Sequence, residues 1–141
     1  MNQSCEIVFD FLKSENERDW TTFESLVHSN IVFEVIGGDK PMRGKNEYIE
    51  RMKEIYSDLK DWHFTITDFA ENKETIFVEF YGAGHFTGKH KGVQYSEAKI
   101  QLAAICVFKV HNGLIINIKE FFDYQSFEQQ LNKNGPPPSR G

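Results

Sequence analysis

The sequence has few cysteines, few prolines, no long apolar run and no excess of basic charge. Its only two cysteines, Cys5 and Cys106, lie far apart, and neither has a Cys or His neighbour at zinc-finger spacing. We therefore expect neither a disulfide framework nor a metal site, and a reducing, cytoplasmic compartment is the simplest environment.

Membranes and nucleic acids are excluded as expected partners. The longest unbroken apolar run, Leu102–Phe108, is far shorter than the ~20 residues that cross a bilayer, and no apolar segment of a secretory signal follows Met1. The 16 Lys and Arg residues are outnumbered by 21 Asp and Glu residues, for a net charge of −5. Proteins that bind phosphate backbones normally carry the opposite imbalance.

Phenylalanine is abundant, with 13 residues among the 141 of the chain. A chain of this length forms one domain with a sizeable apolar core. We assign residues 1–131 to that domain and residues 132–141, which include Pro136–Pro138, to a flexible tail.

The hydrophobic period changes from about 3.6 residues in the first part of the chain to 2 in the rest. Helices are predicted from Cys5 to Leu12, from Trp20 to Val27 and from about Lys45 to Leu59, and strands follow Trp62. Helices followed by hairpin-connected strands predict an α+β fold with the helices on one face of the sheet.

Both faces of the last predicted hairpin are apolar. A three-residue loop at His111–Gly113 would place Cys106 opposite Ile118 and Ala104 opposite Glu120. An antiparallel sheet with one solvated face alternates more cleanly than this. We expect the helices to cover one face and a second copy of the chain to cover part of the other, giving a homodimer, although high β-content on both faces would also explain the pattern.

Several short motifs resemble the nuclear transport factor 2-like superfamily, and within it the SnoaL-like polyketide cyclases. Gly82–Gly88 resembles a Gly-Thr-His-x-x-Gly segment of those cyclases, and Phe108–Ile115 resembles their hairpin. Met42–Lys45 after strand Ile31–Ile36 is similar to their helix entry, and the resemblance extends from Glu6 to Leu131. It implies a cone, in which a curved antiparallel sheet is wrapped by N-terminal helices, and a cavity for a small, mostly apolar molecule.

The resemblance also implies what this chain lacks. Ketosteroid isomerases use a Tyr, an Asp base and an Asp donor, and the matching positions here are Phe11, Val35 and Cys106, which cannot perform that chemistry. The mechanism of ketosteroid isomerases is therefore disfavoured.

Limonene-epoxide hydrolases position water with a Tyr and an Asn, which match Phe33 and Val35 here. The Arg and Asp that act on the epoxide match Glu79 and Tyr81, so this mechanism is disfavoured too. SnoaL-like cyclases carry an acidic residue on the final strand, and Glu120 matches it.

Four residues are the candidates for catalysis, each with a simpler alternative. Glu120 lies on an apolar strand face that would raise its pKa and suit a general base, or it pairs with a basic side chain at the strand end. Tyr81 would donate to an oxyanion or is a core aromatic residue. Glu79 would pair with Glu120 as acid and base or is a rim carboxylate, and His85 would shuttle protons or is solvated in a turn.

The expected ligand contacts are apolar or aromatic: Phe11, Phe33, Val35, Met52, Tyr56, Leu102, Ala104, Cys106, Ile118 and Phe122. One hypothesis is a cofactor-free enzyme that performs cyclisation, isomerisation or dehydration next to a carbonyl. The alternative is a non-catalytic domain that binds a ligand or another protein. This alternative is favoured because Phe11, Phe33 and Val35 are apolar where the relatives have polar residues.

Overall fold

A computed structural model describes residues 1–134 of the chain. The helices are α1 (Gln3–Asn16), α2 (Trp20–Ser25), α3 (Lys45–Asp58) and α4 (Tyr124–Asn134). The strands are β1 (Val27–Val35), β2 (Met42–Arg43), β3 (His63–Asn72), β4 (Thr75–His90), β5 (Val93–His111) and β6 (Leu114–Phe122). Helix α4 continues to Asn134, three residues into the segment expected to be a tail, and the rest of that segment lies outside the described residues.

The strands form one curved, open sheet in the order β2-β1-β6-β5-β4-β3. All neighbouring strands are antiparallel except β1 and β6, which run parallel, so the sheet is mixed. The helices α1, α2 and α3 pack over the inner face of the sheet and α4 packs against β5. The predicted α+β fold class is therefore confirmed.

Side-chain caps set the starts of the first two helices. The Asn2 side chain accepts a hydrogen bond from the backbone N–H of Cys5 at 2.8 Å, and Asp19 accepts one from that of Thr22 at 3.2 Å. Such caps satisfy backbone donors that have no partner within the helix.

The β5–β6 hairpin differs from its predicted geometry. Its loop has two residues, Asn112 and Gly113, both with positive φ, at 50° and 79°. These angles are typical of the tight turns that favour Asn-Gly. A register irregularity follows between Lys109 and Val110, and Cys106 consequently lies opposite Glu120 rather than opposite Ile118.

This register differs from the predicted one by two residues, and so it leaves the faces of the strands unchanged. Because side chains alternate with period 2, a shift of two residues keeps each side chain on its side of the sheet. Cys106, Ile118 and Glu120 therefore face the helices, as predicted from the sequence.

The face of strand β4 that points into the core is the opposite of the one that the resemblance implied. Ile76, Val78 and Phe80 are buried in the core, so Glu79 and Tyr81 point to the outer face. A close contact within the core fits this orientation, because a Cβ at Gly82 would lie 2.2 Å from the ring of Trp62.

The two cysteines are free thiols buried in the core. None of the helices within residues 1–134 combines the length and the apolar character needed to cross a membrane.

Candidate functional site

A cavity of about 260 Å³ lies between the helices and the inner face of the sheet. An apolar cavity of about 150 Å³ can hold benzene, so this one has room for a somewhat larger molecule of one or two rings. All ten residues predicted to contact a ligand line it. The other lining residues are Leu12, Glu15, Tyr48, Ile55, Leu59, Trp62, Phe64, Phe80, Phe108, Glu120, Tyr124 and Phe127.

Glu120, on β6, presents its carboxyl to this cavity. Burial among apolar atoms raises its pKa from 4.5 to about 7, although a hydrogen bond from Cys106 acts in the opposite direction. The Cys106 thiol, 3.7 Å from the carboxyl, is the one side chain within residues 1–134 that donates a hydrogen bond to it. The alternative interpretation, in which Glu120 pairs with a basic side chain, does not hold within this part of the chain.

A second carboxyl, that of Glu15 at the end of α1, reaches the same cavity and was missed in the sequence. Its pKa is raised to about 7, mainly by burial and further by the charge of Glu120, against the hydrogen bond donated by the Tyr56 hydroxyl and the charge of Arg18. The sequence held a signal for it, because Glu15 follows Phe11 by four residues and Leu12 by three, on the apolar stripe of the helix.

The hydroxyl of Tyr48 is the other group that sequence reasoning missed. Tyr48 is only 1% exposed, lines the cavity from α3, and its hydroxyl makes no hydrogen bond with the residues that the structure describes. Its pKa is raised well above 10, first by burial and then by the charges of Glu15, Cys106 and Glu120. A buried hydroxyl without a partner is unfavourable, and a ligand oxygen or nitrogen would satisfy it.

Three of the four residues predicted to be catalytic lie outside the cavity. Tyr81 is 44% exposed on the outer sheet face, and the Glu79 carboxylate accepts a hydrogen bond from Thr67 there at 2.7 Å. His85 is exposed and its Nδ1 lies 2.6 Å from the Asp61 carboxylate. The expectation that these three side chains face inward is wrong. It rested on matching β4 to the corresponding strand of relatives, whereas the side chains that β4 turns inward are Ile76, Val78 and Phe80.

The family model for the SnoaL-like polyketide cyclases matches residues 6–131, nearly the whole described chain. The chain belongs to this family. No curated protein sequence matches it. Solved structures with the same nuclear transport factor 2-like fold are similar over almost their full lengths.

One similar structure, from Jannaschia sp. CCS1, is named as a SnoaL-like polyketide cyclase and has a TM-score of 0.85 at 13% identity, with 96% of this chain and 94% of that chain covered. Another of that name, from Shewanella putrefaciens CN-32, has a TM-score of 0.82 at 15% identity, with 94% and 88% covered. An epoxide hydrolase from M. tuberculosis has a TM-score of 0.76 at 17% identity, with 94% and 91% covered. At these identities the likeness shows the fold alone.

The chemistry of this SnoaL-like protein therefore depends on its own side chains. Within residues 1–134, no group of three or more His, Cys, Asp or Glu residues is placed to hold a metal ion. The side chains with polar groups among the cavity lining are two glutamates, three tyrosines (two of them on α3), one tryptophan and one cysteine. This set can accept, donate and transfer protons.

Proposed function

We propose that this SnoaL-like protein binds a small, mostly apolar carbonyl compound in the cavity and catalyses proton transfer at the carbon next to the carbonyl, without a cofactor. The observation that carries the proposal is the Glu120 carboxyl, which faces an apolar cavity with no basic residue among its described lining. A general base is most effective when its pKa is near the working pH, and burial brings that of Glu120 to about 7.

Tyr48 completes the proposed mechanism. Glu120 removes a proton from the carbon, and the electron pair moves to the carbonyl oxygen as an enolate. The Tyr48 hydroxyl, which has no other described partner, donates a hydrogen bond to that oxygen. In an isomerisation, protonated Glu120 returns the proton to another carbon. In a cyclisation the enolate attacks a second carbonyl and the new alkoxide oxygen takes the proton. In a dehydration the enolate expels a β-hydroxyl, which leaves as water with that proton.

The test uses 1-tetralone, a two-ring ketone whose size suits the cavity. We expect the protein in deuterated buffer to accelerate deuterium incorporation next to the carbonyl, as measured by proton NMR, and Glu120→Gln to reduce this rate to that of buffer. The matched control is Glu79→Gln on the outer face, which should exchange as fast as the wild type. Equal rates for wild type and Glu120→Gln would refute the proposal.

The apolar walls favour a second function, non-catalytic binding. Phe11, Phe33 and Val35 supply no polar group at the positions where relatives have them. In that case 1-tetralone would bind and shift the NMR resonances of the residues that line the cavity, but its deuterium exchange would remain at the rate in buffer.

A further inference from the structure

The cavity has two carboxyl groups and no basic side chain among its described lining residues to pair with them when they ionise. Glu15 on α1 and Glu120 on β6 both line it, and its described lining contains no Lys, Arg or His. A buried carboxylate without a counter-ion is costly. A cation brought by the ligand would reduce that cost.

The nearest cationic side chain is not free to enter the cavity. The Arg18 guanidinium lies 4.1 Å from the centre of the Tyr56 ring. It donates hydrogen bonds to five backbone carbonyls, those of Glu15, Asn16, Leu59, Lys60 and Trp62. Tyr56 also lines a shallow outer pocket that contains Arg18. Arg18 thus lies on the outer side of Tyr56, and the effect of its charge on Glu15 is limited to lowering the pKa of that carboxyl slightly.

The backbone around Glu15 also favours a cation. Glu15 is the penultimate residue of α1, a helix of 14 residues. The last turn of a helix carries a partial negative charge, which stabilises a cation placed there and disfavours an anion.

The walls and Tyr48 supply the remaining contacts that an ammonium ion uses. Eleven of the 22 lining residues are aromatic, among them Tyr48, Tyr56 and Trp62, and the π-face of such a ring attracts cations. The hydroxyl oxygen of the buried Tyr48, which has no hydrogen bond among the described residues, can accept an N–H as well as donate its own proton.

We propose that the carbonyl compound bound in this cavity is a small cyclic or aromatic molecule that also carries an amine, held through its ammonium ion by the Glu15 carboxylate and the surrounding aromatic rings. The proposal rests on the proposed function in one respect, because it names the substrate class of the same cavity. Glu15 is then the specificity-determining carboxylate, and Glu120 remains the base.

Three probes of nearly equal shape and different charge test the proposal by calorimetry: 2-phenylethylamine, 2-phenylethanol and phenylacetate. At pH 8 we expect the amine to bind at least tenfold tighter than the alcohol, and phenylacetate to bind weakest. At pH 5.5 the amine stays charged, as a lysine does, but the carboxyls become protonated, so its advantage over the alcohol should disappear. Besides Glu120, the titratable or charged groups around Glu15 are Tyr56, Arg18, Tyr48 and Cys106. Burial raises the pKa values of Tyr48, Tyr56 and Cys106 above their usual values, so these three groups stay neutral at both pH values.

The variant Glu15→Gln keeps an oxygen that can accept the Tyr56 hydrogen bond, and it should lose the preference for the amine at pH 8. Glu79→Gln should retain it. The proposal is overturned if the alcohol binds the wild type as tightly as the amine, if none of the probes binds, or if Glu15→Gln keeps the preference. Where Glu15→Gln does not fold, the pH dependence of the wild type decides alone.

The two proposals fail separately. Loss of deuterium exchange in Glu120→Gln without any preference for amines would leave the proposed function standing and refute the ligand class. A preference for the amine without any acceleration of deuterium exchange would support the ligand class and refute the proposed function.

Discussion

Cys106 and Glu120 face each other directly across β5 and β6, and the Cys106 thiol donates to the Glu120 carboxyl at 3.7 Å. A thiol is a weak donor, so it offsets little of the cost of burying a carboxylate. Burial therefore dominates and holds the pKa of Glu120 at about 7. The same burial, aided by the charge of Glu120, holds the pKa of Cys106 well above its usual value, which makes this thiol a poor nucleophile.

Replacing Tyr48 by Phe should separate catalysis from stability. The hydroxyl has no described hydrogen bond to lose, so we expect the melting temperature of Tyr48→Phe to stay the same or rise slightly. Loss of an oxyanion donor should lower the rate of 1-tetralone exchange by about 100-fold. Thermal unfolding and proton NMR exchange check the two parts. A full exchange rate in Tyr48→Phe would exclude Tyr48 as the donor.

The raised carboxyl pKa values predict a distinct pH dependence of stability. A group with a pKa of about 7 in the folded chain and 4.5 when unfolded binds more protons in the folded state between these values. Its contribution to the free energy of unfolding therefore falls as the pH rises from about 4.5 to about 7.

Glu15→Gln and Glu120→Gln remove that dependence. Each should be more stable than the wild type at pH 8, by on the order of 1–3 kcal/mol, and should differ little from it at pH 4.5. Urea denaturation of the wild type and of each variant at the two pH values measures this difference in the free energy of unfolding. The exposed carboxyls are the same in both proteins, so their contributions cancel. A variant that is equally destabilised at both pH values would show that the carboxyl is not held protonated by burial.

The packing of Trp62 against β4 predicts the effect of a single methyl group. A Cβ at Gly82 would lie 2.2 Å from the Trp62 ring, which also forms part of the cavity wall. Gly82→Ala should therefore displace Trp62, reduce stability by about 1–3 kcal/mol and weaken binding of 2-phenylethylamine. Denaturation and calorimetry check this, and unchanged values for both would contradict the observed packing.

The expected homodimer stays a prediction, and the outer sheet face supports it. Four large apolar side chains are 41–45% exposed there: Phe77, Tyr81, Ile105 and Phe121. Ile105 lies opposite Phe121, near the centre of the sheet. We expect light scattering to give twice the 16.4 kDa chain mass for the wild type, and a monomer for Ile105→Lys. Glu50→Lys on α3 is the control that should remain dimeric, and a monomeric wild type would refute the prediction.

The sequence predicted the fold and the inner face of β5 and β6, because Ala104, Cys106 and Phe108 alternate in a strand whose partner begins at a clear Asn-Gly turn. It did not predict the parity of β4, where Ile76 and Phe77 are both apolar and only packing against the helices decides between them. The ten residues predicted to contact a ligand all line the cavity, because most of them belong to this core.

Glu15 and Tyr48 were missed for a related reason. Glu15 is followed by the polar residues Asn16, Glu17 and Arg18, which obscure the fact that it continues the stripe of Phe11 and Leu12. Tyr48, four residues before Met52 on α3, fits an ordinary core position. Only the structure shows that Glu15 presents a carboxyl to the cavity and that Tyr48 presents a hydroxyl without a described partner.

The titration of the Glu120 carboxyl tests the central claim most directly. Carbon-13 NMR of protein labelled at the glutamate side chains follows it, and the spectrum of Glu120→Gln identifies its resonance. The account predicts a midpoint near pH 7. A midpoint near 4.5, the value of a solvated glutamate, would contradict it and remove Glu120 as a base tuned by this cavity.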